Sequence, residues 1–332
     1  MKILPRFVKK LVTLLVDFDS FISMKRLLEN LLYYPLVGLI YLVSLLPLRI
    51  HHAIADLGAF LLYNVFHYRK TVVITNLSRS FPEKKYPEIR RIAKAFYRDF
   101  LDIFVEMIWS LTRSRAKINR HVSFENPEAI QTLFGTGKNL ISVLGHFGNW
   151  EICCSMGPYS KIFGIDLDAS ENFFIYKKQK GIGDRLVRML RSKKKVCTLI
   201  ESAEVFRHLV KHRDGKGMYY FIADQSPRGG AKYGMNFLNQ PTSMINGPEY
   251  LATRLELPVF YTEIDRRKRG YYHFTFTIIT PNAAQEEPGF VTHRFAQLLE
   301  ESIQRTPSAW LWSHKRWKRD ITKEKLLHYF EE

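Results

Sequence analysis

The chain has 332 residues, 46% of them hydrophobic, enough to bury a sizeable core and ordinary for a protein that folds mainly in water rather than in lipid. Fifty Lys and Arg against 32 Asp and Glu leave a formal charge of +18. That balance favours polyanionic partners (nucleic acid, an anionic membrane face or an acidic carrier protein) without choosing among them. Three cysteines, Cys153, Cys154 and Cys197, show no CxxC or Cys/His ligand spacing; they argue against a disulfide framework and a structural zinc site, and they suit a reducing, cytoplasmic setting as small buried hydrophobes.

Residues Leu31 to Leu48 (LLYYPLVGLIYLVSLLPL) carry no charge. As a helix they extend about 27 Å, close to the hydrocarbon thickness of a bilayer. Pro35 and Pro47 weaken a straight span, and no small-residue cleavage site of a signal peptide is present. Basic residues on both sides (Lys9, Lys10, Lys25 and Arg26 before; Arg49, Arg69 and Lys70 after) set no crossing direction. The expectation is a helix dipping into one leaflet, or a short anchor, ahead of a full span; a buried helix of a soluble protein is the remaining alternative.

From 51 to 118 the sequence reads as helical. HHAIADLGAFLLYNVFHY and RIAKAFYRDFLDIFVEMIWSL repeat apolar residues at helical spacing, and SFPEKKYPEI between them supplies a stop and a restart. After residue 120 short apolar runs alternate with helical segments. NLISVLG (139–145), MYYFIAD (218–224), LPVFYTEID (257–265) and YYHFTFTII (271–279) are rich in β-branched and aromatic residues and predict strands. Helices are expected from Trp150, over Asp184–Leu190, Ser202–His212, Pro248–Leu255 and Thr292–Arg305. This alternation predicts an α/β sandwich, a mixed central sheet flanked by helices, with ligands at the carboxyl ends of the strands. The expected division is an N-terminal helical membrane anchor over 1–50 and one unit over 51–332, helical to 118 and α/β from 119.

The strongest local feature is NLISVLGHFGNWEICC. An apolar run ends at Gly145, His146 follows, Gly148-Asn149 form a turn, and Trp150-Glu151 open an apolar helix. Glu151 in the first helical turn is favoured by the helix dipole and is expected to accept a hydrogen bond from one ring nitrogen of His146. The other nitrogen is then free to take a proton from an alcohol. No Ser or Cys nucleophile adjoins His146, so direct attack by the acceptor hydroxyl is the simpler chemistry. A structural histidine capping a turn is the plain alternative.

HFGNWE resembles the His-x4-acidic motif of the glycerolipid acyltransferase superfamily, in the form of the bacterial lipid A late acyltransferases (lauroyl and myristoyl transferases). NLSRSFPE, DRLVRMLRSKKKV, FIADQSPRGG, GPEYLATRLELPVFYT and WLWSHKRWK resemble further stretches of that family in the same order, so the likeness runs from about residue 30 to 320. The resemblance implies an α/β sandwich with a membrane anchor, His146 as general base and Glu151 as the group that orients and polarises it. It carries over Asp184 and Arg191, and it assigns Asp224 and Gln225 to site architecture or substrate positioning. Arg191 or a backbone N–H of the Gly145–Asn149 turn, with Asn149 in the site, is the expected oxyanion stabiliser. Where the family has arginine, IYKKQKG offers Lys177, which keeps the charge without the bidentate fork and shifts anion recognition there or to Lys178.

The implied reaction is acyl transfer from an acyl carrier protein or acyl-CoA to a lipid hydroxyl: secondary acylation of lipid A, or else the same chemistry on an amino-acid lipid, a lysophospholipid or a glycolipid. Its expected place is the cytoplasmic face of the inner membrane. No metal and no cofactor are expected, since neither a GxxxxGK[ST] loop nor a GxGxxG turn occurs. Nucleic acid is not an expected partner. The clusters Lys193-Lys194-Lys195 and Lys315-Arg316-Lys318-Arg319 are read either as solvated surface or as a landing site for a carrier protein or lipid phosphates. Trp310, Trp312 and Trp317 are expected to be core or interfacial anchors. A non-catalytic basic membrane-binding protein is the remote alternative, opposed by the presence of both His146 and Glu151.

Overall fold

The computed structural model describes residues 27–154, 171–193, 195–227, 231–318 and 326–330. Expectations for Lys9, Lys10, Lys25, Arg26, Lys194 and Arg319, and for a helix continuing past Cys154, lie outside these residues.

The apolar N-terminal run is divided in two. Helix α1, Leu27–Ser44, starts earlier than expected and passes through Pro35. It ends where Pro47, which cannot donate and which disfavours helical geometry in the residue before it, forces a bend. Pro47 then precedes α2, Leu48–Phe60. Arg113 closes the bend: its Nη2 donates to the carbonyls of Ser44 (2.9 Å), Leu45 (2.9 Å) and Leu46 (2.8 Å), a cation on the free carbonyls of a helix C-terminus.

A π-helical turn, Leu61–Val65, leads to α3, Lys70–Ser80, and then α4, Tyr86–Ser110. The α4 entry carries Pro87 in its first turn, and the Glu88 side chain accepts from the Lys85 N–H at 3.1 Å, satisfying one of the free donors of a helix start. Its buried side includes Ile89, Ala93, Phe96 and Tyr97, at the spacing that predicted it. The short α5, Arg115–Asn119, ends the helical region at the place expected.

The α/β region comes next. Its elements are β1 (Val122–Glu125), α6 (Pro127–Phe134), β2 (Leu140–Leu144), β3 (Asn172–Tyr176), α7 (Gly181–Ser192), β4 (Thr198–Glu201), α8 (Val205–Lys211), β5 (Met218–Ile222), β6 (Tyr233–Phe237), β7 (Gln240–Ser243), α9 (Gly247–Leu255), β8 (Val259–Lys268), β9 (Tyr271–Thr280), α10 (Phe290–Arg305) and β10 (His328–Phe330). The seven-stranded sheet has the order β1-β9-β8-β2-β5-β3-β4, parallel at every pairing except the β8–β9 hairpin. It is the mixed sheet expected. A small second sheet, β10-β6-β7, shares no strand pairing with it.

Side chains of β2 alternate between two cores, which shows that both sheet faces are covered. Ile141 and Val143 join the cluster built with α3, α4 and α10, whereas Leu140 and Leu144 join the one that holds Ile130, Phe134, Trp150, Cys153 and Cys154. β2 and β5 are thus central, buried and side by side, and the chain leaves both of them at the same end of the sheet.

Candidate active site

Strands β2 and β5 run parallel with Leu144 opposite Ile222, and the Ala223 N–H donates to the Leu144 carbonyl at 3.0 Å. Two residues beyond each partner lie His146 and Asp224, so register alone brings them face to face. The His146 Nδ1 lies 2.5 Å from Asp224 Oδ1, and the His146 backbone N–H donates to Oδ2 at 2.9 Å. Trp310 Nε1 donates to the same Oδ2 at 2.8 Å. Burial on its own would push the Asp224 carboxyl up; the His146 imidazole and these hydrogen bonds outweigh it and hold the group down to about 2. An ionised carboxylate only accepts, so Nδ1 carries the proton and Nε2 is left as the basic nitrogen. Gln225 Nε2 stands 3.4 Å from that nitrogen.

The C-terminal segment closes the other side. Phe147 and Trp310 form an antiparallel bridge, flanked by Gly148 N–H to Ala309 O at 3.0 Å and Leu311 N–H to His146 O at 3.1 Å. Gly148 has φ +61°, and a Cβ there would lie 1.9 Å from the Ile264 carbonyl oxygen; only glycine lets the turn pass this close to β8. Further along, His314 Nε2 accepts from the Ser226 N–H at 3.2 Å. Burial chiefly, with the Arg316 cation adding to it, drives the His314 imidazole down to about 4, consistent with its acting as an acceptor.

Glu151 does not take the place expected for it. It sits in a 3-10 turn, Trp150–Cys154, that directs its carboxylate toward α7. There Arg191 grips it with Nε at 2.8 Å and Nη2 at 2.5 Å, and Trp150 Nε1 adds a third donor at 3.1 Å. Burial works against the Arg191 charge, but Glu151 overrides it and raises the guanidinium further above its ordinary range. The carboxylate bonded to His146 is that of Asp224. Glu151 reaches the imidazole only through Trp150, whose ring packs edge-on to it at 5.0 Å between centroids.

The remaining expected residues separate. Asn149 points away from His146: its Nδ2 donates to Glu106 Oε2 at 2.8 Å, beside the Tyr272 hydroxyl (2.7 Å to the same oxygen). Lys177 is exposed just past β3, and Lys178 pairs with Glu201 at 2.8 Å. Asp184 is buried and accepts from the Gln179 N–H at 2.8 Å. Arg316 corrects the surface reading of its cluster. It is buried, donates to the Ser243 carbonyl, and leaves its Nε without a partner. Trp310, not assigned to the site from sequence, donates to Asp224, and Glu106 holds Asn149 beside the motif; the only sequence signal was the proximity of Trp310 to the Arg-Trp-Lys ending.

Two turn N–H groups, those of His146 and Gly148, are already committed to Asp224 and Ala309. Near the motif Arg191 is a charged donor whose Nη1 lies outside its fork with Glu151. The arrangement is a carboxylate–imidazole pair whose Nε2 faces Gln225, with the Glu151–Arg191 ion pair beyond Trp150. The model of the family described as bacterial lipid A biosynthesis acyltransferase matches residues 21–319. No curated protein matches the chain.

Proposed function

The chain belongs to the bacterial lipid A biosynthesis acyltransferase family, and from that membership we propose that it adds a second acyl chain to a hydroxyl of a lipid A precursor, drawing it from an acyl carrier protein or acyl-CoA thioester. The observation that carries the mechanism is the 2.5 Å contact of His146 Nδ1 with the ionised Asp224, which leaves Nε2 as the base.

In this reading His146 Nε2 takes the proton of the acceptor hydroxyl as its oxygen bonds to the thioester carbonyl carbon. Asp224 holds the imidazolium and fixes its tautomer without itself taking the proton. Arg191, locked in place by Glu151, offers its remaining Nη1 donor to the tetrahedral oxyanion. Collapse breaks the C–S bond, and the thiolate leaves with the proton from Nε2, giving an ester and a free carrier thiol. Gln225, at 3.4 Å from Nε2, lies where the acceptor hydroxyl must enter and positions it. The net charge of +18 suits an acidic carrier and the anionic cytoplasmic face of the inner membrane.

The test is acyl transfer from labelled acyl carrier protein and acyl-CoA to a panel of lipids, with His146→Ala as control. Transfer to a lipid A precursor that disappears in the variant is the expected result. Transfer only to another lipid would keep the chemistry and change the acceptor. Substantial turnover by the variant would remove His146 as the base.

A further inference from the structure

Helix α1 does not stand away from the body. Asn30, Tyr33, Val37, Ile40, Tyr41 and Ser44, at helical spacing, form its better-covered side, and charged residues fasten that side from end to end. Arg185 of α7 donates to Asn30 Oδ1 at 2.8 Å, with its guanidinium 3.9 Å from the Tyr33 ring centre. Lys193, just beyond α7, lies 5.2 Å from the Tyr41 ring centre, and Arg113 holds the last carbonyls. From Asn30 to Ser44 is about 21 Å of helix. Were α1 to cross the bilayer over that length, it would draw Arg185 and Lys193 to hydrocarbon depth, where charge is strongly disfavoured.

The uncovered side of α1 is apolar, with Leu28, Leu31, Leu32, Leu39 and Leu42 exposed. That exposure does not stop at the Pro47 bend. Leu45 and Leu46 continue it, and α2 carries it on through Ile50, Ile54, Leu57 and Phe60, while His51, Ala55 and Ala59 of the same helix are buried. Such a stripe is too long and too apolar for a helix facing water. Arg49 lies at the bend within it, and Arg69 just past its far end.

We propose that α1 and α2 form one docking platform that lies in the plane of a single leaflet of an anionic bilayer, at the boundary of headgroups and acyl chains, so that these two helices hold the membrane without crossing it. The continuity of α2 with the apolar α1, the charged contacts along the inner side of α1, and the net charge of +18 together select a lipid surface as the occupant. The platform also lies close to the site. His52, on α2, contacts Glu106 at 3.0 Å, and Glu106 holds Asn149 of the His146 motif. The proposal rests on the membrane association of the family but not on the identity of the acceptor.

The test places an environment-sensitive fluorophore on Leu31→Cys, Leu42→Cys or Leu57→Cys of the full chain, in a Cys197→Ser background because Cys153 and Cys154 are buried. The chain is bound to vesicles of phosphatidylethanolamine and phosphatidylglycerol whose lipids are brominated at defined acyl depths. All three positions should report one shallow depth, and Ile54→Asp with Leu57→Asp should weaken vesicle binding of the full chain at least about tenfold. A depth that changes steadily between residues 31 and 42 would mean a crossing helix and overturn the proposal. A residue 57 probe quenched from water, or shielded from both water and lipid by residues 1–26, would overturn the platform. None of these readouts requires turnover, so failure here is separable from failure of the acyl-transfer reading.

Discussion

Glu151 and Arg191 meet fork to fork, Nε at 2.8 Å to one carboxylate oxygen and Nη2 at 2.5 Å to the other, with both side chains largely withdrawn from water. A buried pair of this kind adds little net stability over apolar residues of the same volume, yet it is severe to break from one side, because the abandoned charge stays buried. Glu151→Gln should therefore lower the unfolding free energy by about 3 kcal/mol, read by urea denaturation, and reduce turnover by on the order of 10²-fold. Adding Arg191→Met should recover much of the stability and none of the activity. A single variant as stable as wild type would mean that the pair is not formed.

Asp224→Asn keeps the shape of the side chain but lets an amide N–H face His146 Nδ1, favouring the tautomer whose Nε2 is protonated and useless as a base. Turnover should fall by about 10²- to 10⁴-fold with KM for the acyl donor nearly unchanged. Steady-state kinetics on both variants of the pair, His146→Ala and Asp224→Asn, together with the double variant, should show losses that do not add. Additive losses would separate the two residues.

Gly148→Ala demands both a left-handed residue and space for a methyl group 1.9 Å from the Ile264 carbonyl oxygen. Because the obstacle is backbone of a central hairpin strand, relief requires moving β8 or the motif turn. A loss of more than about 3 kcal/mol is expected, seen as a collapse in soluble yield or thermal midpoint. By contrast, Gly183→Ala on α7, where nothing lies within 4 Å of a Cβ, should be tolerated.

His314 sets a pH dependence of stability. Its imidazole titrates near 6.5 when free and, through burial and the Arg316 cation, near 4 in the folded chain. Between these values the unfolded chain binds the extra proton. The His314 contribution is therefore fully present above about 6.5 and is lost as pH drops toward 4. His314→Gln should flatten that slope in urea midpoints measured across the interval; His51 and His208, also shifted down by burial, leave a residue of it. Asp224 contributes in a different window. Its stabilisation is present above the ordinary carboxylate value of 3.8 and is lost as pH falls through about 2.

Elements with a strong apolar signal were legible in the sequence: α4 and α10, and the strands β2, β5, β8 and β9, lie within a few residues of where that signal puts them. β1, β4, β6, β7 and β10 span only three to five residues each and, unlike the equally short β2 and β5, mix apolar with polar residues too evenly to stand out. At the site, His146 was visible as a histidine at the end of a buried strand. Its true partner was not, because a spacing of five within one segment proposes Glu151, whereas the contact with Asp224 exists only once β5 has been laid beside β2. Nor does sequence reveal that Arg316 is buried. A run of basic residues looks like surface, and only the fold shows that its second member turns inward to the carbonyl of Ser243.

The pairing of Phe147 with Trp310 has a consequence for synthesis. Two of the hydrogen bonds that shape the His146 turn are made with Ala309 and Leu311, and Trp310 is one of the donors that keep Asp224 ionised. A ribosome that has delivered the motif, the seven-stranded sheet and α10 has still not delivered these three contacts. Chains that terminate early, or are clipped before residue 309, carry most of the signature of the family but lack the contacts that fix His146 and Asp224, and should be silent in an acyl-transfer assay.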